Sequence, residues 1–289
     1  MGRAPSWCLG IVAVCAAVTA ACTAPQDPPR VEEARGETPE RAPFPLEVTA
    51  ADTPGASELE RVVAEGRAQV EAFFGAPFPE PVRVLVQPDR AAFDASFPPE
   101  WGVGQTQCWM VAYGVADRLS LLSPRVWRAE ACEHDPDDAV HVQRLVTHEL
   151  VHAYHGQHNP TRDFSGIEEA TGWFAEGLAV LASGQLDAER LAGARRAVAE
   201  GRGPTDLRTA WSGADRYGVC GSLVAFLETR CGREGLVRLL AATDFEAFLQ
   251  EAGLTEEAWL AAWRGWLVEA EAPSGPETGA ACSGEHRSS

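Results

Sequence analysis

The segment His148-Glu149-Leu150-Val151-His152 carries the most specific pattern in this chain, H-E-x-x-H. On an α-helix, residues four apart lie on one face, so the two imidazoles can bind a single Zn²⁺ ion. Glu149 lies one step round the helix, where its carboxylate can act on a water at the metal. The pattern therefore predicts metal-assisted hydrolysis with zinc as the cofactor.

The residues around this motif predict a buried helix. Asp135 followed by Pro136 is typical of a helix start, because the aspartate can cap the first turn and proline fits the first helical position. Gly156 is typical of a helix end. Apolar residues are spread around the segment: Val142, Leu145, Val146, Val151 and Ala153. We expect a helix of ~18–20 residues with the motif in its last turns.

A catalytic zinc site needs a third protein ligand and one open position for water. His158 is one candidate, because H-E-L-V-H-A-Y-H-G-Q-H is similar to the metzincin pattern H-E-x-x-H-x-x-G-x-x-H. That pattern needs glycine where this chain has His155, and a downstream methionine turn, whereas Met1 and Met110 lie upstream. Glu176 is the second candidate and the favoured one.

The segment Trp173-Phe174-Ala175-Glu176-Gly177-Leu178-Ala179 resembles the gluzincin metallopeptidases, the clan of thermolysin and the aminopeptidase N family. In that clan W-x-x-E-G-x-A places its glutamate on the zinc from the helix that follows the motif. The resemblance implies that His148, His152 and Glu176 bind zinc. It also implies that Glu149 is the general base and that the fold is zincin-like.

The segment Tyr217–Gly232 resembles the Y-x-x-G-x-x-x-x-x-x-L pattern of the aminopeptidase N family, with the glycine shifted by one position. In that family the tyrosine donates a hydrogen bond to the developing oxyanion, which implies this role for Tyr217. The alternative is a tyrosine packed on a core helix. The aminopeptidase branch also carries G-x-M-E-N, which is absent here, so we do not expect aminopeptidase specificity.

The other acids and histidines near the motif have simpler explanations. Glu168-Glu169 could compete as a ligand pair but suit the first turn of a helix, where the dipole favours acids. His155 and His158 are expected at a helix end, where cations are favoured. His141 is expected to pack on its helix, the alternative being that it supports the metal ligands from a face similar to that of His148. His134 is expected to lie in a solvated loop.

Composition narrows the function. The chain has 289 residues, 45% of them hydrophobic, and 42 acidic residues against 24 basic ones, all arginine, for a net charge of −18. The hydrophobic content supports a real core, and the acidic balance without a basic patch argues against nucleic-acid binding. We expect a peptide or protein substrate, no nucleic-acid partner and a monomer.

The N-terminal residues predict export. Residues 1–21 read as a signal peptide whose apolar stretch, Leu9–Ala21, is too short to span a bilayer comfortably. Val18-Thr19-Ala20-Ala21-Cys22 resembles a bacterial lipobox, which would make Cys22 a lipid anchor and the only contact with a membrane. The alternative is ordinary cleavage after residue 20 or 21. The protein is then a membrane-anchored lipoprotein, or periplasmic or extracellular.

Four segments are expected along the chain. After the signal peptide, residues 22–45 are rich in Pro, Glu and Arg and read as a disordered tether. Residues 46–272 form the metallopeptidase-like domain, and residues 273–289 form a flexible tail.

Export makes disulfides possible. Cys108 with Cys132 is the first expected pair, and Cys231 with Cys282 the second. Cys220 and Cys231 would stand ~16 Å apart on a continuous helix, beyond disulfide reach.

The fold class expected is α+β and zincin-like, with the metal cleft between two halves. The N-terminal half should contain a small mixed sheet with helices, from helices Glu58–Phe74 and Ala91–Phe97 and strands Val82–Val86, Gln107–Tyr113 and Arg118–Leu122. The C-terminal half should be helical: Glu168–Leu181, Ala188–Glu200, Gly218–Arg230, Glu234–Ala242, Phe245–Glu251 and Glu256–Glu269.

By the same resemblance, an edge strand beside the metal helix should hold an extended substrate. Cys108–Tyr113 and Leu119–Leu122 are the candidates, and Trp109 and Tyr113 would line the cleft unless they only pack in the sheet.

The function expected from these residues is a zinc-dependent peptidase that uses a metal-activated water and Glu149 as general base. Two alternatives stay open. One is a lipid-tethered binding protein that keeps the fold without turnover. The other is a zinc hydrolase of non-peptide amides.

Overall fold

The computed structural model describes residues 42–270. The predicted signal peptide (1–21), the candidate lipidation site Cys22 and the predicted tail (273–289) lie outside the described residues, as does most of the predicted tether. Phe44, near the end of that tether, is buried with its ring edge-on to Phe78, so the chain around it packs with the domain. Between residues 42 and 270, no helix has both the length and the apolar character that a membrane crossing requires.

The strands of this region are β1 (Leu46–Glu47), β2 (Arg83–Gln87), β3 (Ala112–Val115) and β4 (Arg118–Leu122), and they form one mixed sheet in the order β1-β2-β4-β3. β1, β2 and β4 run parallel, whereas β3 pairs with β4 as an antiparallel hairpin and forms one edge. The small mixed sheet confirms that part of the expected α+β class.

The bounds predicted for the strand Gln107–Tyr113 are wrong, although the strand does pair with Arg118–Leu122 as a hairpin. Strand β3 begins at Ala112 and continues to Val115. The residues before it are drawn into a turn next to the disulfide between Cys108 and Cys132, which takes them out of the sheet. Gly114, expected in the hairpin connection, is therefore inside the strand.

The helices of the N-terminal half are α1 (Ala56–Phe74), α2 (Arg90–Ala95), α3 (Trp127–Glu130) and α4 (Ala139–His158). The predictions for α1 and α2 are confirmed, with ends that differ by a residue or two. The motif lies on α4, and its length of 20 residues is as expected.

Helix α4 starts and ends later than the sequence predicted. Its N-cap is Asp138, whose carboxylate accepts a backbone N–H of the first turn, while Asp135 caps the turn ahead of the helix. The helix ends at His158 and not at Gly156. Gly156 instead allows a close approach, because a Cβ there would lie 2.4 Å from a backbone carbonyl oxygen of the following loop.

The C-terminal half is helical, as expected, with α5 (Glu168–Ala182), α6 (Ala188–Ala199), α7 (Arg216–Leu239), α8 (Phe245–Ala252) and α9 (Glu256–Glu269). The two helices predicted within α7 are joined through a kink at Gly232, whose φ of +69° suits glycine. Among residues 42–270, four tryptophans are fully buried in the core: Trp127, Trp173, Trp259 and Trp263.

The expected disulfide between Cys108 and Cys132 is confirmed, with 5.2 Å between the Cα atoms. Cys220 is buried on α7, and Cys231 lies on the same helix without bonding to it, as predicted. The second expected pair involves Cys282, which lies outside the described residues.

Helix α5, which carries the ligand candidate Glu176, packs closely on α7, which carries the oxyanion candidate Tyr217. A Cβ at Gly177 would lie 2.3 Å from the carbonyl oxygen of Cys220, so the backbones touch where only glycine fits. This contact sets the distance between the two helices.

We predict that Gly177→Ala lowers the free energy of unfolding by about 1–3 kcal/mol, because the added methyl group overpacks this contact. Gly172→Ala, on the same helix with open space around it, is the matched control and should be neutral or stabilising by up to about 1 kcal/mol. Urea unfolding followed by circular dichroism measures both. Equal effects of the two substitutions would contradict the contact.

Candidate metal centre

Two neighbouring helices bring three candidate ligands together. His148 and His152 lie one turn apart on the same face of α4, and Glu176 faces them from α5. Both histidines are buried, and the side chain of Glu176 is 26% exposed. Buried apolar residues of both helices surround these three polar side chains.

The distances between the donor atoms fit one metal ion. His148 Nε2 lies 3.1 Å from His152 Nε2 and 3.4 Å from a carboxylate oxygen of Glu176, and His152 Nε2 lies 3.7 Å from the other oxygen. Tetrahedral zinc with bonds of about 2.0–2.1 Å sets its ligand atoms roughly 3.4 Å apart. In the part of the chain that the structure describes, no other group of three His, Cys, Asp or Glu side chains converges in this way.

Gln185, which follows α5, orients the first histidine. Its side-chain oxygen lies 3.0 Å from Nδ1 of His148, where a neutral imidazole donates its N–H and leaves Nε2 unprotonated. Metal ligands are commonly held by such a partner. Sequence reasoning missed Gln185, because no motif marks it and only the fold brings it to the histidine.

The charges of the group are arranged for binding a cation. Burial lowers the pKa of His152 to about 4, so its ring is neutral near pH 7. Burial opposes the ionisation of Glu176, but His152 and His148 outweigh it and lower the pKa of this carboxyl. Two imidazoles and an ionised carboxylate make a donor set that zinc accepts.

Glu149 lies beside the ligand group and lines the same cleft. Burial raises the pKa of its carboxyl to about 7, against the opposing effect of His148. The backbone N–H of Gly114 also donates to this carboxylate. The side chain is thus placed between the ligands and the edge strand, where it can exchange protons near neutral pH.

The edge strand β3 crosses α4 at Gly114. A Cβ on Gly114 would lie 2.0 Å from the carbonyl oxygen of Glu149, so any other residue would push the strand off the helix. β4 lies between β2 and β3, so the alternative that Leu119–Leu122 is the edge strand is wrong. β3 is the edge strand beside the metal helix.

Tyr217, in the first turn of α7, lies in the same cleft. Its ring centre is 6.3 Å from that of His148. Burial and then the charge of Glu176 raise the pKa of Tyr217 to about 12, so the phenol keeps its proton. Arg216 hydrogen bonds to this side chain and so occupies a lone pair of its oxygen, which leaves the hydroxyl hydrogen available as a donor.

The cleft that contains these residues has a volume of about 630 Å³. Aromatic side chains line much of it: Trp101, Trp109, Tyr113, Phe164, Trp211 and Tyr217. Trp109 and Tyr113 therefore both border the cleft. The hydroxyl of Tyr113 is used in the fold, since it donates to the carbonyl oxygen of Ser96.

The structure separates the rival ligands from the group. His158 stacks on Tyr154, and its Nδ1 lies 2.8 Å from the carbonyl oxygen of that residue. Glu168 and Glu169 are exposed in the first turn of α5, as expected.

Two expectations about histidines are wrong. His155 is 1% exposed, and burial lowers its pKa to about 3, so it is no cation at a helix end. His134 is half-buried and not solvated, because Nε2 lies 2.8 Å from the carbonyl oxygen of Trp109 and Nδ1 lies 2.7 Å from Nε2 of His141. Their partners are distant in sequence or come from loops, which a local pattern cannot reveal.

Comparisons of this chain with models of known protein families, with curated proteins and with solved structures gave no match. The site is therefore interpreted from its own residues.

We predict that the chelator-treated protein binds one Zn²⁺ ion, the ion expected from the sequence, and that Glu176→Ala weakens this binding by more than about 100-fold. His158→Ala is the control that removes the rival histidine and should keep full stoichiometry. Isothermal titration calorimetry measures both. Loss of the ion in the His158 variant, with retention in the Glu176 variant, would reverse the ligand assignment.

Proposed function

We propose that this chain is a zinc-dependent peptidase of the gluzincin type with a zincin-like fold. The observation that carries the proposal is the convergence of His148, His152 and Glu176 with Glu149 beside them in one cleft. Three protein ligands leave one position of a tetrahedral ion open, which distinguishes a catalytic zinc site from a structural one. A zinc ion bound there would supply Lewis-acid activation of a water and of the substrate carbonyl.

Glu149 is the proton carrier in this proposal. Its carboxylate oxygen takes a proton from the attacking water and then delivers it to the nitrogen of the leaving amine. A carboxyl whose pKa is raised by burial is suited to both steps, since it can hold and release a proton near neutrality. Its position beside the ligands is the geometric requirement for this role.

Tyr217 is the oxyanion donor in this proposal. Its hydroxyl keeps its proton, its ring lines the cleft with its centre 6.3 Å from that of His148, and Arg216 occupies a lone pair of its oxygen. A hydrogen bond to the carbonyl oxygen that becomes negative would stabilise the transition state more than the ground state.

Peptide binding is proposed along the outer side of β3. An extended substrate would add a strand to this edge and place its scissile bond over Glu149, because Gly114 brings strand and helix into contact. The cleft has no G-x-M-E-N segment to bind a free amine, so we favour cleavage within a chain over removal of N-terminal residues.

Export is proposed together with this function. The disulfide between Cys108 and Cys132 is typical of proteins that fold in an oxidising compartment. It supports an exported peptidase acting outside the cytosol, for which we propose Cys22 as the lipid anchor.

We predict that Glu149→Gln lowers kcat/KM on a quenched fluorescent peptide library by more than about 100-fold, because the amide cannot carry the proton. Zinc binding by this variant should stay at one ion per chain. Glu169→Gln, an exposed change of the same kind, is the control and should keep full activity. If the wild type still cleaves after treatment with a chelator and the Glu149→Gln variant cleaves at the wild-type rate, the proposed mechanism is disproved.

We predict that Tyr217→Phe lowers kcat by about 10²–10³-fold with little change in KM, as expected for a donor that acts only on the transition state. Steady-state kinetics on the best peptide of the library measure both constants. If the variant raises KM and leaves kcat unchanged, Tyr217 contributes to substrate binding and not to the oxyanion.

A further inference from the structure

Arg216, the first residue of α7, is held in a frame of three aromatic rings at the cleft. Its guanidinium carbon lies 5.0 Å from the ring centre of Trp109, 5.2 Å from that of Trp211 and 5.1 Å from that of Tyr217. The side chain is half-buried. Cation–π contacts on this scale fix the position of the guanidinium group without using its N–H donors.

These N–H donors are largely unused. Among residues 42–270, Arg216 donates to the carbonyl oxygen of Gly213 at 3.4 Å and to Tyr217, and it has no carboxylate partner. The other arginine of the cleft, Arg190, donates to the carbonyl oxygen of Gln185 at 2.6 Å. Arg216 thus presents a fixed positive charge with free donors beside the metal group.

The chemistry of this group selects a carboxylate. A guanidinium group binds a carboxylate through two parallel hydrogen bonds, and partial burial strengthens them. Of the other acids that border the cleft, Glu133 and Glu168 are exposed, and Asp163 accepts hydrogen bonds from Trp101 and Ser165. Glu149 and Glu176 belong to the metal group, and the charge of Arg216 helps to lower the pKa of Glu176 without an ion pair between them. The net charge of −18 is spread over the chain and is screened beyond about 8 Å at physiological salt, so the nearby half-buried cation dominates at contact range.

We propose that Arg216 binds an acidic side chain of the substrate, so that the peptidase prefers peptides with Glu or Asp close to the scissile bond. This inference rests on the proposed function and adds its substrate class. The guanidinium carbon of Arg216 and the ring centre of His148 lie 5.1 and 6.3 Å from the ring centre of Tyr217, and an extended peptide advances about 3.4 Å per residue. The acidic residue therefore lies within about three residues of the bond that is cut.

Trp109, one of the three rings around Arg216, is itself held in place by other parts of the chain. Trp109 follows Cys108 of the disulfide, and its carbonyl oxygen is held by Nε2 of His134. The guanidinium group is thus fixed from outside α7 as well as from its own helix, which favours recognition of a defined position over a general attraction for acids.

The activity test uses peptides that differ at one position, with Glu, Gln or Lys placed from three residues before to three residues after the scissile bond. For the wild type we expect kcat/KM to be at least about tenfold higher with Glu than with Gln at one position. Arg216→Gln should bring this ratio close to one, and Arg216→Glu should favour Lys. Arg230→Gln, the same change at an exposed position of α7, should keep the wild-type ratio.

A binding test separates this inference from the proposed function. The zinc-loaded Glu149→Gln variant is titrated by calorimetry with the Glu and Gln peptides, with and without Arg216→Gln. Tighter binding of the Glu peptide that is lost with Arg216→Gln supports the inference even if no peptide is cleaved. Cleavage with a Glu/Gln ratio that Arg216→Gln leaves unchanged overturns the inference and keeps the peptidase. Absence of both cleavage and discrimination overturns both.

Discussion

The packing of helix α4 is the constraint on which the rest of the structure depends. The helix is covered by the edge strand β3, by α1 and by α5, and its apolar residues fill these contacts. His148, His152 and Glu149 face the cleft that lies between the helix, α5 and β3. Because the backbone of the helix is fixed on its other sides, these side chains are presented at set positions and lose little further freedom when they bind an ion or a substrate.

Two close backbone contacts fix the positions of the other elements that line the cleft. Gly114 brings β3 against the carbonyl of Glu149, and Gly177 brings α5 against Cys220 of α7. The first sets the distance between the edge strand and the general-base candidate. The second sets the distance between Glu176 and the first turn of α7, where Tyr217 and Arg216 lie. The cleft is therefore assembled from strand and helix backbones and not from loops alone.

Much of this arrangement was predictable from the sequence, for reasons that differ between elements. Helical periodicity identified α1, α4 and the helices of the C-terminal half, since amphipathic and apolar repeats of this length have few other solutions. His148 and His152 need only a helix to lie on one face, so this ligand pair could be predicted without knowledge of the fold. Glu176 needed the resemblance to a known motif, because nothing in its local pattern says that α5 faces α4.

The features that the sequence did not reveal depend on tertiary contacts. The predicted N-cap of α4 was Asp135, whereas the observed one is Asp138. Two aspartates close together can each cap a turn, and the fold selects one. The strand β3 was misplaced because a disulfide turn occupies part of an apolar stretch. Gln185 and Gly114 act through partners far away in sequence, and a glutamine or a glycine by itself carries no local pattern.

The donor atoms of the metal group come from two helices, and this has a thermodynamic consequence. An ion held by α4 and α5 together is bound by the folded chain and only weakly by the unfolded one, so its binding free energy adds to the stability of the fold. The melting temperature of this protein then becomes a function of the free ion concentration around it. For an exported chain, the metal supply of its compartment would help to set how long the fold survives there.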